Sequence, residues 1–225
     1  MMVGGCKKSL DYALYNHILI SKINDAKQVN WQIVNLGLAN VSEERINDQL
    51  DKMLLGLNRL FKYKNIKQVS LGYFRMLDIV KAGSMYHPTI HLLLPMMKSY
   101  VQGRYYIKKK DWLDMWARAL NQAPEDELAV SIITLNEKGD RTHQVHMMEE
   151  ALAACAAFTS EECPQPASEP IPSRRWIAYS RLMKEQANQV APLLHYDVEQ
   201  FAIHDAIANH AFSIMRHWHA GLRMA

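Results

Sequence analysis

The chain has 225 residues, of which 49% are hydrophobic and 22% charged, with only 9 glycines and 8 prolines. This composition excludes a collagen-like or wholly disordered chain and fits one domain with a substantial core, with or without an appendage. With 26 Lys and Arg against 23 Asp and Glu, the net charge of +3 is too small to indicate a polyanionic partner by itself.

Cysteine usage and hydropathy favour a cytoplasmic protein. The three cysteines, Cys6, Cys155 and Cys163, are odd in number and widely spaced. They fit a reducing compartment better than a disulfide scaffold or a zinc cluster. The first residues lack the apolar core of a signal peptide, and no apolar run approaches the roughly 18–20 residues that span a bilayer. We therefore expect no membrane partner.

The first half of the chain mixes helical and strand patterns. Ser42 is followed by two glutamates, which predicts a helix start because the hydroxyl can cap free amides. A short turn over 81–84 separates two strand patterns and indicates an antiparallel pair. The predicted elements are helices over 9–24 and 42–60 and strands over 31–38, 69–80 and 89–94.

The second half contains the one linker-like stretch, residues 159–172, with four of the eight prolines. It separates a first unit, 1–158, from a closing strand and helical C-terminal tail, 173–225. The mixed order of elements predicts an α+β fold with a central antiparallel sheet and flanking helices. The predicted elements here are helices over 109–120, 143–158, 182–190 and 198–216 and strands over 129–134 and 176–179.

Several short words, in order over more than half the chain, resemble the rolling-circle replication initiators of small plasmids. These Rep proteins belong to the HUH endonuclease class. Residues 5–10 (GCKKSL) also resemble the end of a cysteine-containing segment that precedes this region in the family, although the earlier cysteines are absent. The matching words are 71–80 (LGYFRMLDIV), 87–94 (HPTIHLLL), 99–100 (SY), 106–107 (YI), 111–116 (DWLDMW) and 175–180 (RWIAYS).

The resemblance implies a divalent metal site, with Mn or Mg as the ion, that has degenerated here. The family has two histidines one residue apart on a strand and a nearby acid, generally Glu, for which this chain has Asp78. His91 remains, but Thr89 replaces its partner. His87 lies on the same face about 13 Å away along the strand, too far for a shared ion unless the chain bends at Pro88. We expect at most weak metal binding.

The nucleophile expected from the resemblance is also missing. The family places a tyrosine on a helix after the third strand, but residues 149–158 (EEALAACAAF) contain none. Without an attacking oxygen, covalent nicking of DNA fails whatever metal is bound. Tyr179 falls in the word that follows the catalytic region, so we interpret it as structural and only as a weak catalytic candidate.

Basic residues are concentrated in two segments that also contain aromatic residues. Residues 98–118 carry six Lys or Arg against two Asp, and residues 62–75 carry four Lys or Arg with no acid. Such segments bind phosphates, and exposed rings stack on unpaired bases. With the family resemblance, DNA contact is the favoured interpretation over a merely solvated surface. The predicted DNA-binding residues are Lys62, Lys64, Lys67, Arg75, Lys98, Arg104, Tyr105, Lys108, Lys109, Lys110, Arg174 and Arg175.

Three hypotheses follow from the sequence. The first is a Rep-like protein that binds hairpin or single-stranded plasmid DNA, acts in or regulates plasmid replication, and has lost or impaired nicking. The second is an active metal-dependent nickase that uses a non-standard tyrosine such as Tyr179. The third is an interaction module, because five of the ten histidines lie in the tail and could support a homo-oligomer. His217 and His219 in that tail match His-x-His, but in a helix such residues point apart.

Overall fold

A six-stranded sheet forms the centre of the computed structural model, which describes residues 5–101, 103–123, 127–136, 145–147, 149, 175–190 and 205–224. The strand order is β4-β1-β3-β2-β5, and β6 pairs with β2 beyond the end of β5. Every pairing is antiparallel except that of β6 with β2. The strands are β1 (Val29–Leu38), β2 (Gly72–Ala82), β3 (Met85–Met97), β4 (Leu128–Thr134), β5 (Ile177–Ser180) and β6 (Gly221–Met224).

Helices pack against both faces of this sheet, because the strands are apolar on both sides. None of the helices within the described ranges is long and apolar enough to cross a bilayer. The helices are α1 (Gly5–Ala26), α2 (Ile46–Leu60), α3 (Lys64–Lys67), α4 (Lys109–Leu120), α5 (Arg181–Gln189) and α6 (Ala206–Met215).

Alternate residues of the strands contribute side chains to two separate hydrophobic cores. On one face, α2 and α4 bury their apolar sides, including Trp112 and Trp116, against strand residues such as Leu92. On the other face, α1 and α6 pack over Trp31 and Phe74. Because successive strand residues point to opposite faces, one strand serves both cores.

The second core is tied together by a short polar chain between α1, β1 and α6. Trp31 donates its indole N–H to Asn24 Oδ1 at 2.7 Å, and Asn24 donates to Asp205 Oδ2 at 2.9 Å. Asp205 in turn accepts from the backbone N–H groups of Ile207 and Ala208, which caps the start of α6. This network fixes the position of the helix that leads into the C-terminal residues.

The predicted α+β class with a central antiparallel sheet is confirmed. The start of α2 is a correction, because this helix begins at Ile46 after Arg45 and Ser42 lies in the preceding turn. Strand β3 begins at Met85 rather than residue 89, since the hairpin continues to the pair Ala82–Met85. The predicted linker, 159–172, and most of the predicted helix over 143–158 lie outside the described residues.

Strand β6 is absent from the sequence prediction. The expected helix over 198–216 is described from Ala206 and ends at Met215, after which the chain turns and adds β6 in parallel to the edge of β2. Gly221 enters this strand at φ +112°, a conformation that side-chain-bearing residues rarely adopt. A four-residue edge strand has too short a pattern to be recognised without its partner.

Candidate functional site

Asp78 and His91 come together on the face of the sheet that α1 and α6 cover. In the β2–β3 pairing, Asp78 lies opposite Thr89 and His91 lies opposite Met76. This register makes Asp78 and His91 diagonal neighbours on one face. The His91 Nε2 atom is 3.5 Å from Asp78 Oδ2, and the two side chains are 14% and 5% exposed. The sheet register thus accounts for the proximity that the sequence could only suggest.

The His91 ring is held from two further directions. Its Nδ1 atom is hydrogen bonded to Asn35 Oδ1 at 2.8 Å, and Asn35 Nδ2 donates to Ser131 Oγ at 2.8 Å. Trp218 stacks on the imidazole with ring centroids 4.8 Å apart and planes 12° apart. These contacts orient Nε2 toward Asp78 and cover one face of the ring.

Arg223 on β6 completes the surroundings of the Asp78 carboxylate. Its Nε atom lies 3.2 Å from Oδ1 and 3.3 Å from Oδ2, and its Nη2 atom lies 3.2 Å from Oδ2. Burial alone would raise the pKa of Asp78, but the hydrogen bonds and charges of His91 and Arg223 outweigh it, so the pKa lies below the ordinary value. Both carboxylate oxygens therefore already have a cationic partner.

The other two positions of the predicted metal site contribute little. Thr89 lies beside Gly37, where an added Cβ would come within 3.2 Å of the Thr89 Oγ1 atom. His87 faces away toward the loop after β1, and its Nδ1 atom accepts a hydrogen bond from the backbone N–H of Asn40 at 3.3 Å. No group of three or more His, Cys, Asp or Glu side chains among the described residues could hold a metal ion. The residues present do not fit a divalent metal site.

Tyr179, the weak catalytic candidate, is partly buried and packs against the second core. It lies opposite Phe74 on β2, four residues before Asp78, or about 13 Å along the strand. Its hydroxyl accepts from Asn16 Nδ2 at 3.4 Å, and its ring meets Tyr15 edge to face. Burial, followed by the nearby Tyr12 and Tyr15, raises the pKa of Tyr179 well above its ordinary value. The position favours a structural role.

The basic segments meet at the opposite end of the same strands. The segment before β2, which includes α3, and the segment after β3, which runs into the first turn of α4, are joined where Met97 N–H donates to the Val69 carbonyl and where Ser70 bridges to Met96. We call this region the basic end, and it lies about 20 Å along the strands from the Asp78–His91 pair. Its basic residues, all exposed, are Lys62, Lys64, Lys67, Lys98, Arg104, Lys108, Lys109 and Lys110.

Aromatic rings project between these charges. Tyr106 is 41% exposed, and Tyr105 is half-buried beneath the Arg104 guanidinium, which lies 5.0 Å from its ring centroid. The buried Tyr100 holds the loop in place, since its hydroxyl accepts from the Ile107 backbone N–H at 3.2 Å. A rigid loop that presents cations and a ring can contact both a phosphate and a base.

Three predicted DNA-binding residues lie elsewhere or cannot be placed. Arg75 is only 8% exposed on β2, and burial lowers the pKa of its guanidinium. Arg175 is exposed but precedes β5, and its neighbour Trp176 accepts from the Leu77 N–H of β2, away from the basic end. Arg174 lies outside the described residues. Among the described residues, the basic end is therefore made by residues 62–67 and 98–110.

The sequence missed the residues that surround the Asp78–His91 pair. Trp218 stands between the two tail histidines of the His-x-His match, and no local pattern there indicates that its ring stacks on His91. Arg223 offered no local signal, because its partner lies 145 positions earlier. Asn35 on β1 could have been noticed as a polar residue among apolar ones.

Comparison with known proteins identifies relatives over most of the chain. A family profile described as "Replication protein" matches residues 6–220. A "Protein rep" of Bacillus amyloliquefaciens is 27% identical over 248 aligned positions, which cover 96% of this chain and 71% of the relative. A "Protein rep" of a Bacillus species is 35% identical over 116 positions, covering 51% of this chain and 38% of the relative.

A third relative, a "Protein rep" of Staphylococcus aureus, is 28% identical over 113 positions, and the match covers 49% of each chain. This alignment and that with the Bacillus species protein thus span half or less of those relatives. A search of the solved structures found no significant match.

Proposed function

Because this chain belongs to the replication protein family, we propose that it is a DNA-binding protein of plasmid replication that works without tyrosine-dependent nicking. The observation that carries the proposal is the basic end, where the segments before β2 and after β3 together present eight exposed Lys and Arg side chains. The small net charge of +3 conceals this local concentration. Phosphate contacts supply most of the affinity of such a surface.

The aromatic residues of the basic end favour DNA with unpaired bases. Tyr106 exposes its ring, and Tyr105 lies beside it under Arg104. A ring stacks on a base only when that base is free of its own neighbour, as in single strands or hairpin loops. We therefore propose hairpin or single-stranded DNA as the ligand.

Three observations support the proposed loss of nicking. Residues 149–158 contain no tyrosine, and Tyr179 packs against the second core about 13 Å from Asp78. The Asp78 carboxylate is paired with Arg223 rather than open to a metal ion. A protein with these features can hold a replication origin without cutting it, and could thereby regulate replication.

The test is a binding titration with hairpin, single-stranded and duplex DNA at several salt concentrations. Changing Lys108, Lys109 and Lys110 to alanine should weaken single-strand binding at least about tenfold at low salt. The slope of log affinity against log salt should become shallower by about 2, because three counterion-releasing contacts are lost.

A control variant that loses the same number of positive charges elsewhere separates binding at the basic end from general electrostatic attraction between the protein and DNA. Lys22, Arg45 and Lys52 are exposed cations outside the basic end. Changing all three to alanine should leave the affinity within about twofold, since surface charges beyond a Debye length of roughly 10 Å are screened. Equal losses in both triple variants, or no binding at low salt, would overturn the proposal. A covalent adduct with plasmid DNA that Tyr179→Phe abolishes would replace it with the nickase.

A further inference from the structure

Helix α5 begins beside the basic end, at Arg181. The Arg181 Nη1 atom donates to the Ser70 carbonyl at 3.1 Å, and Ser70 is the residue that bridges to Met96 in the basic end. The backbone is tied to the same place, because Arg181 forms an antiparallel bridge with Gly72. The guanidinium thus lies where the two basic segments meet, although Arg181 is 111 positions from Ser70 in the chain.

Most of the hydrogen-bonding capacity of this guanidinium is unused within the described residues. Arg181 is exposed, and the described part of the chain gives its side chain no acidic partner and no acceptor besides the Ser70 carbonyl. An arginine has five N–H donors in a planar fork, and the Ser70 carbonyl engages one of its nitrogens. The edge formed by Nε and Nη2 can therefore donate two parallel hydrogen bonds to an oxyanion such as a phosphate.

The Ser70 carbonyl also restricts where the fork lies. A mobile arginine side chain loses conformational entropy when it binds a ligand, and this loss weakens the binding. Because one nitrogen of Arg181 is already anchored, part of that entropy is lost before any ligand arrives. Arg181 is therefore better prepared for a directional contact than a side chain that is solvated along its whole length.

The backbone of Arg181 adopts a conformation that residues with long side chains disfavour. Its φ is +45°, in the left-handed region. Asn40 and Asn121 also adopt positive φ, and asparagine, after glycine, is the residue type that tolerates this region best. Such strain persists only where the surroundings fix it, and it is frequent at binding sites. Glycine would suit this backbone better, so what arginine adds here is its side chain.

We propose that Arg181 binds a DNA phosphate and extends the basic end onto the start of α5. This inference rests on the proposed function, since it assigns one more phosphate contact to the same DNA ligand. The Arg181 fork holds one phosphate by two hydrogen bonds, while the lysines of residues 62–67 and 98–110 attract neighbouring phosphates by charge. The DNA surface then includes the segment that follows β5.

The experiment titrates the full chain with a fluorescein-labelled oligothymidylate at several salt concentrations and follows fluorescence anisotropy. Arg181→Gln should bind at least about threefold more weakly at low salt. The slope of log affinity against log salt should become shallower by about 0.7, because one counterion-releasing contact with a single strand is lost. Arg181→Lys keeps the charge and should keep the slope, but it should bind more weakly than the unchanged protein because it lacks the planar fork.

The matched control is Arg45→Gln, which removes an exposed arginine that immediately precedes α2 and lies outside the basic end. Its affinity and its salt slope should both equal those of the unchanged protein, because a charge beyond the Debye length is screened. An equal loss in Arg45→Gln and Arg181→Gln would mean that only the total charge matters, and the inference would be wrong.

Arg181→Gly separates a phosphate contact from a purely structural role. Glycine accepts the positive φ, so this variant should unfold in urea at a midpoint no lower than that of Arg181→Gln. Its DNA affinity and salt slope should nevertheless match those of Arg181→Gln. DNA affinity in Arg181→Gly equal to that of the unchanged protein would overturn the inference.

The outcome for Arg181 can be told apart from the outcome for the proposed function. An unchanged salt slope in Arg181→Gln, together with weaker binding when Lys108, Lys109 and Lys110 are changed to alanine, would overturn this inference and leave the proposed function standing. No binding by the unchanged protein at low salt would overturn both.

Discussion

The basic end and the Asp78–His91 pair lie on the same two strands but differ in how their polar groups are satisfied. At the basic end, eight Lys and Arg side chains are exposed on the segments before β2 and after β3, and none of the ion pairs found within the described ranges involves them. At the pair, every group is held by Asn35, Trp218 or Arg223 from the same chain. One region is available to a ligand, and the other is already occupied by protein.

This difference shows that two polar regions on the same strands can be stabilised in different ways, one by water and the other by protein groups. Exposed lysines cost little to maintain, since water solvates them until a phosphate arrives. A buried carboxylate beside an imidazole needs a permanent partner. The two regions should therefore respond differently to substitution.

The largest effect is expected from Trp218→Ala, which removes a buried ring from the pair. The ring stacks on His91 at 4.8 Å and lies parallel to Phe74 at 6.3 Å. Its loss should lower the free energy of unfolding by about 3–5 kcal/mol, measured by urea denaturation. DNA affinity under conditions where the variant is folded should stay unchanged, because the basic end is about 20 Å away.

Trp218→Phe is the control, and it should lose much less stability because part of the stacked area remains. A parallel drop in DNA affinity for Trp218→Ala would contradict the separation of the two regions.

A smaller effect, confined to the basic end, is expected from Tyr106→Ala. Removing an exposed ring that stacks on a base costs about 1–3 kcal/mol of single-strand affinity, while duplex affinity and the unfolding midpoint should hardly change. Fluorescence titrations with both DNA forms measure this. Tyr106→Phe keeps the ring and should bind as before; if it binds as weakly as the alanine variant, the hydroxyl rather than stacking is responsible.

The buried His17 should make the free energy of unfolding sensitive to mild acid. It is buried between α1 and α6, with Nε2 2.8 Å from Asn209 Oδ1. Burial lowers its pKa, and this outweighs the opposing influence of Asn209 and Asp205. In the unfolded chain His17 is protonated near pH 6.5, whereas in the folded chain it stays neutral to a lower pH. The free energy of unfolding therefore falls as the pH drops below 6.5, by at most about 1.4 kcal/mol per pH unit.

His17→Gln should flatten this dependence when unfolding is compared between pH 7.5 and 5 by urea denaturation. An unchanged slope would mean that other groups account for the loss. DNA affinity of the variant at pH 7.5 should match that of the unchanged protein.

The smallest effect is expected from Asp78→Asn, and it concerns only the stability of the protein in strong acid. The pKa of Asp78 lies below its ordinary value of 3.8, so its carboxylate contributes its full stabilisation above that pH. The contribution is lost as the pH falls through the lower, folded-state pKa. Asp78→Asn should reduce the acid dependence of the unfolding midpoint below about pH 4. The exposed Asp25→Asn is the control, and an equal change there would remove Asp78 from the explanation.

Local patterns were sufficient for much of the fold. The amphipathic repeat of α2 and the inward-facing Trp112 and Trp116 of α4 appear in the sequence as they appear in the structure. The hairpin of β2 and β3 followed from two apolar strands and a turn. The predicted start of α2 at Ser42 was wrong, because a serine followed by acidic residues is frequent at helix starts but does not by itself begin a helix. Here Ser42 belongs to the turn that precedes Ile46.

The sequence by itself determined the α+β class, the basic segments, the replacement of one histidine by Thr89 and the lack of a tyrosine in residues 149–158. Each of these depends on residue identity or on short-range periodicity. Only the tertiary structure decided that His87 turns to Asn40, that Tyr179 packs against the second core, and that Arg223 pairs with Asp78. These depend on strand register and on contacts between residues far apart in the chain, which no local pattern encodes.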